Sequence, residues 1–514
     1  AELTPEGDGF FITFTVDEGE QYAFGEVAVD SRIRDLDPGA LEALVETRSE
    51  QTYDTTAIED TIQAMTDRVG QLGYAFVEIE PQVRRNPAER TIDVAYAVDE
   101  GPRVYVERIE IADNVRTLDR VIRRELLLAE GDAFNSALLR ESERRVRRLG
   151  FFDNVETRTR PGSAPDRIVI EIEVQERSTG ELSFGAGFST NDGPLAAVNL
   201  SERNLLGTGR SVRAEVALSG RRQEIDFSYT EPWFLGLPVD AGFDVFDTRT
   251  DFQDESSFDE ENLGLVLRAS YPLTDRIRHS VRYTIRRDDI RDVDDDASPF
   301  IKAEEGDAIT SAIGQTFAID ERDSLVLPTE GYVFRLDQDL AGLGGDRAFL
   351  SHELSTAYFQ PVWQDQVVLR LGLDAGYVFG IGEDVTLANR FFVGGNNFRG
   401  FDVAGIGPRD RDTADALGGN AYYVGSAEMR FPLGLPEELR VFGRAFVDAG
   451  TLTQIDVDES LGNLADSGNL RVSTGVGVSW LSPFGPIAID LSQAVIKDDL
   501  DETQLFQFSF GTRF

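Results

Sequence analysis

From Gly180 onward, apolar residues recur at every second position. Leu182, Phe184, Ala186 and Phe188 alternate with Glu181, Ser183, Gly185 and Gly187, and Val212, Ala214, Val216 and Leu218 alternate with Ser211, Arg213, Glu215 and Ala217. Val367, Leu369, Leu371 and Leu373 do the same, as do Phe506, Phe508 and Phe510 against Gln507, Ser509 and Gly511. A period of two predicts strands with one apolar face. About sixteen such segments of roughly ten residues follow one another, the length of a tilted strand crossing a bilayer. Short turns bearing Pro and Gly (206–210, 272–276, 432–438, 482–486) alternate with generally longer acidic connections (288–306, 379–420, 452–469). That asymmetry predicts a transmembrane antiparallel barrel over 179–514. A soluble sandwich or propeller would alternate too, but no blade-length repeat follows residue 180. Trp233, Trp363 and Trp480 fall at or beside short-turn ends, where an interfacial belt belongs. The last strand ends in Phe514, as a closing barrel strand can. An even strand count puts the preceding domains and the chain's end on the short-turn, periplasmic side.

Before Gly180 the period changes and the sequence repeats itself. VDEGEQYAFGEV (16–27) returns as VDEGPRVYVERI (98–109), and QLGYAFVEI (71–79) returns as RLGFFDNVE (148–156), a spacing of about 80 residues that predicts two copies of one small domain, 20–99 and 100–178. The first reads as a strand at 22–30, a short helix from Pro38, a helix from Thr55 to Gly70 and strands near 75–84 and 91–98. The second reads as a strand at 104–112, helices Leu118–Leu128 and Ser136–Leu149, and strands at 154–160 and 167–175. Both are β-α-α-β-β. Residues 1–19 read as the remnant of a preceding copy, because they end in the same VDEG.

Composition narrows the chemistry. Against 93 Asp and Glu stand 50 Lys and Arg, a net charge of −43 that repels phosphate backbones and argues against nucleic acid as a partner. The 34 Phe and 13 Tyr exclude a disordered acidic chain. With no Cys and two His (His279, His352), thiolate metal sites, thiol nucleophiles and disulfides are excluded. Neither His lies in a hydrolase motif, so no catalytic residue, metal or cofactor is expected. Acidic runs at 254–261, 288–296 and 456–459 lack the EF-hand spacing and read as solvated loop surface. RRVRR (144–148) reads as a solvated helix face.

The longest connection carries GGNNFRGF (394–401). Arg399 is flanked by Gly400, which permits close backbone approach, and by Phe398 and Phe401, which can anchor the loop. A flexible Gly-rich loop with an incidental Arg is the plainer reading. Strand parity favours the first: Glu428 shares a face with Tyr422, Ser426 and Arg430, and Asp448 shares one with Arg440 and Arg444. Both carboxylates then point into the lumen, available to Arg399 if the loop folds inward.

The loop motif FRGF, the strand GSAEMRF (425–431), the segments FVDAG (446–450) and VGVSWLSPFGPI (476–487), and the ending LFQFSFGTRF (505–514) resemble the BamA family of outer-membrane barrel-assembly factors. The mixed repeats resemble that family's periplasmic POTRA domains. The resemblance covers essentially the whole chain and implies two POTRA domains, a remnant of a third and a barrel in the outer membrane. It implies that Arg399 reaches Glu428 and Asp448, and that the barrel opens laterally between its first and last strands, with Leu182, Phe184, Gly185 and Gly187 on one edge and Phe506, Phe508, Gly511 and Phe514 on the other. It also implies assembly and insertion of β-barrel proteins without ATP. The partners would be unfolded outer-membrane proteins, accessory lipoproteins of a barrel-assembly complex, and outer-membrane lipid and lipopolysaccharide. A two-partner-secretion transporter is the alternative, with a passive porin behind it. The strand ahead of residue 20 argues against the first and the periplasmic repeats against the second.

Overall fold

In the computed structural model the chain forms two compact units, 1–179 and 180–514. Residues 2–3, 10–11, 20–33, 36, 39–49, 51–72, 74, 77–101, 104–274, 276–363 and 366–511 are described. Within 1–19 the description covers one antiparallel pair, Glu2–Leu3 with Phe10–Phe11. The rest of the expected remnant strand, and Phe514, lie outside the described residues.

The first unit holds both repeats. In the first, β1 (Ala23–Ser31) and β2 (Val77–Asn86) flank β3 (Thr91–Glu100), parallel on one side and antiparallel on the other. Helices α1 (Gly39–Glu42) and α2 (Thr55–Gln71) precede β2, and Asp54 caps α2 by accepting from the Thr56 N–H. Phe24, Leu41, Met65, Val69, Tyr96 and Val98 form the core. The second repeats this order with β4 (Tyr105–Ala112), α3 (Asp119–Arg123), α4 (Ser136–Arg148), β5 (Phe152–Pro161) and β6 (Arg167–Glu176). The helix expected to reach Leu128 ends at Arg123. The next turn instead sends Leu128 into the core and gives the Leu127 N–H to Ser142 Oγ at 2.8 Å. Asn135, the cap of α4, donates across to the Gly70 carbonyl at the end of α2, and Arg140 pairs with Asp67, joining the repeats. In RRVRR, Arg144, Arg145 and Arg148 pair with Glu141, and Arg147 with Glu143, on the helix's exposed side.

The second unit is a closed sixteen-strand antiparallel barrel. In order its strands are β7 (Gly180–Ser189), β8 (Gly193–Leu205), β9 (Arg210–Ser219), β10 (Arg222–Glu231), β11 (Asp240–Asp251), β12 (Asp259–Pro272), β13 (Ile277–Arg291) and β14 (Gly306–Asp320). There follow β15 (Gly331–Gly345), β16 (Phe349–Trp363), β17 (Val367–Gly380), β18 (Ala421–Pro432), β19 (Val441–Thr453), β20 (Arg471–Ser482), β21 (Gly485–Ile496) and β22 (Phe506–Phe510). Leu182, Phe184, Leu200, Leu265, Leu371, Val447, Val476 and Leu491 lie exposed on the outer wall, an apolar belt that water does not tolerate and a bilayer covers. Among the described residues, no helix is long and apolar enough to cross a membrane.

The length asymmetry of the connections is concentrated in a few loops. On the loop side 190–192, 220–221 and 346–348 are themselves tight, whereas the turn side includes the ten-residue stretch 321–330. The acidic loops are not simply solvated. Phe258, Ile290, Phe300, Ile301, Leu387 and Leu417, from three different connections and a strand end, share one buried cluster. Residues Arg409–Asp410 and Leu464–Ala465 pair as a short ladder between loops. Asp415 accepts from the Ser298 N–H at 2.6 Å and Ser257 Oγ at 2.9 Å, and Arg390 donates to Glu304 at 2.8 Å. These acidic side chains neutralise loop donors, so charge there coexists with a packed interior.

Candidate functional site

The 381–420 connection folds so that its motif meets the inner wall. Phe398 and Phe401 are fully buried edge to face, with centroids 4.8 Å apart, among Val393, Ile406, Val424 and Leu452. Between them Gly400 has φ +91°, and a Cβ there would stand 2.8 Å from that of Ser473. The position therefore requires glycine on both conformational and steric grounds.

This anchoring directs Arg399 at β18 and β19. Its Nε and Nη2 donate to the two oxygens of Asp448, both at 2.8 Å, in a bidentate fork. Nη1 donates to Glu428 at 2.5 Å and Nη2 to Ser426 Oγ at 3.1 Å. The guanidinium carbon lies 3.5 Å from the Phe446 ring centroid, a cation–π contact beneath the fork. The Arg399 side chain is 13 % exposed and that of Asp448 4 %, so the group is largely withdrawn from water. Lysine would supply the charge without the planar fork.

Two nearby arginines have carboxylate partners of their own. Arg444 donates to both oxygens of Asp490 at 2.8 Å, and Arg471 to Asp501 at 3.0 and 3.2 Å. Arg440, expected on the Asp448 face, lies outside β19. It ends the turn Glu437–Leu439 at φ +49° and is exposed, because the strand begins one residue later. Sequence parity gave Phe446 no task, although it shares the face of Asp448. Beside the cluster lies a polar cavity of about 480 Å³ bordered by Asn396, Arg399, Asp448, Asp490 and Gln507.

The cavity also borders the junction of β7 and β22. Among the described residues these strands register over two pairs, Ser189 with Ser509 and Phe188 with Phe510, whereas β7 and β8 register over ten. Leu182, Phe184 and Phe506 are exposed on the outer wall, and Phe508 lies against Phe188 at 6.2 Å. Phe508 is opposite Thr190, a register that alternation alone leaves open: the Thr190 N–H donates to its carbonyl at 3.0 Å. Gly187 and Gly511 close the junction backbone to backbone. A Cβ on Gly187 would come 2.4 Å from the Phe510 carbonyl, and one on Gly511 would come 2.8 Å from the Gly187 Cα. Gly185 faces Ala197 of β8 instead.

Comparison with known proteins places this architecture. Residues 204–514 match the Omp85 superfamily domain, and residues 22–101 and 104–177 each match the POTRA family, described as a surface antigen variable number repeat. The outer membrane protein assembly factor BamA of Neorickettsia risticii is 32 % identical over 99 % of this chain and 68 % of its own length. That of Nitratidesulfovibrio vulgaris is 29 % identical over 99 % of this chain and 64 % of its own, so the chain spans about two thirds of these relatives. The crystal structure of BamA from Haemophilus ducreyi lacking POTRA domains 1–3 superposes with a TM-score of 0.80 over 96 % of this chain and 100 % of that one, at 22 % identity. With the family matched over most of the barrel, both repeats matched ahead of it and a full-length likeness at 32 % identity, the chain belongs to the Omp85 superfamily as a protein of the BamA type.

Proposed function

We propose that this protein assembles and inserts β-barrel proteins in the outer membrane, without ATP and without covalent chemistry, by offering the edges of β7 and β22 to client strands. The barrel lies in the outer membrane with the POTRA domains in the periplasm. The observation that carries the reading is the junction, two register pairs among the described residues in a wall whose other neighbours are joined over five or more. An edge opened there exposes N–H and C=O groups that are costly in hydrocarbon until a strand pairs with them. The clients are unfolded outer-membrane proteins, and the working complex includes accessory lipoproteins and contacts with lipid and lipopolysaccharide. A lumen occupied by the Arg399 loop, under loops with their own core, favours this over passage of a polypeptide or solute through the barrel. The test is reconstitution: proteoliposomes holding this protein and its partners should speed folding of a second barrel protein. Export of a polypeptide across the same vesicles without insertion would favour the secretion transporter.

A further inference from the structure

The loop residues just before Arg399 reach both strand edges at the junction. On β22, Gln507, 7 % exposed, donates from Nε2 to the Gly395 carbonyl at 3.0 Å. On the hairpin after β7, Asn191, 8 % exposed, donates from Nδ2 to Asn396 Oδ1 at 2.6 Å. Gly395 has φ +60°, and a Cβ there would stand 3.2 Å from Asn191 Nδ2, so the loop backbone lies directly against the hairpin. Among the described residues Asn191 Oδ1 is buried with no hydrogen-bond partner, an arrangement that a hairpin tip free to face water would avoid.

We propose that Gly395–Asn396 is a latch across the junction, with Gln507 and Asn191 as its positioning residues. The inference rests on the lateral-opening reading above. Arg399 holds the loop to β18 and β19, so the Gly395–Asn396 segment cannot follow a departing edge. Movement of β22 breaks the Gln507 contact, and movement of the hairpin breaks that of Asn191. To the direct contacts between the strands, Thr190 with Phe508 among them, the latch thus adds two amide bonds whose loss costs little, a restraint suited to repeated release.

The chain has no Cys, so spin labels placed on Ala196→Cys and Ile489→Cys, outward-facing residues of the strands flanking the junction, report its opening in proteoliposomes. Gln507→Glu and Asn191→Asp keep shape but remove the donor. Each should raise the widely separated fraction roughly threefold to tenfold without client, the weight of one hydrogen bond. Asn396→Asp keeps an acceptor for Asn191 and should leave the junction closed. Cleavage between 379 and 420 should match wild type in the two donor-less variants, which separates latch loss from general loosening. If those variants stay as closed as wild type while a small barrel protein diluted from urea still widens the junction, the latch is wrong and lateral opening stands. If Asn396→Asp opens the junction as far as Asn191→Asp, added charge is responsible and the latch is likewise refuted. A junction that no variant and no client widens overturns both readings.

Discussion

Arg399 concentrates several interactions that do not substitute for one another. Removing one member of a partly buried, bidentate pair leaves the other charged group uncompensated, so Arg399→Ala should weaken loop docking by about 2–4 kcal/mol, less than a fully dry pair would lose. Arg399→Lys should fall between, because it keeps charge and ring contact but loses the fork. Proteolysis between 379 and 420 reads both, and equal cleavage in wild type and Arg399→Ala would remove the tether. Gly400→Ala should loosen the same loop while leaving every charge in place. Asp323, in the 321–330 turn, accepts from the Thr329 hydroxyl and from the Thr329 and Glu330 N–H groups, which hold its carboxyl down at about 2. With the folded value depressed, its contribution to turn order is fully present above the ordinary carboxylate range near about 4 and is lost as pH falls through about 2. A carboxyl-carbon titration that placed Asp323 near 4 would contradict this. Strand parity made the inward direction of Glu428 and Asp448 legible in the sequence. Phe446, Asn191 and Gln507 were not, because an aromatic ring and two amides carry no pattern until a loop more than a hundred residues from either edge is laid against them.

At the level of elements, period-two alternation marked the barrel strands well, and the register shows which adjacent pairs it joined. Leu369 and Met429 are directly opposed across β17 and β18. The register of the junction was not legible, because pattern fixes which face a residue takes, while offset along the strand is set by where the chain turns, here at 190–192. Helix α3 was overextended because leucine favours a helix, whereas Leu126 and Leu128 pack on the core from the turn that follows it. A disulfide between Phe188→Cys and Phe510→Cys, an opposed pair, should stop client insertion and release it on reduction. Leu369→Cys with Met429→Cys should be tolerated. Undiminished insertion with a verified, complete junction disulfide would exclude lateral opening.

For the whole molecule, the least legible feature was the interior formed by the loops. Its members are scattered in ones and twos through acidic connections and a strand end, where composition signals solvent exposure and only tertiary contact assembles a core. Leu417 is fully buried there, and Leu417→Ala should cost about 2–5 kcal/mol of local packing, raising ion conductance across planar bilayers while barrel strand content stays constant. Unchanged conductance would mean that the loops do not seal the lumen. The junction bears on the protein's own biogenesis as well. Thr190 and Phe508 are 318 residues apart, so ring closure joins contacts among the most distant in the chain and pays the largest loop-closure entropy. On the lateral-opening proposal, a copy whose ring has yet to close presents the same two edges that a working copy would extend to its clients. The protein would then be one of its own clients, its edges held by an older copy until the ring closes.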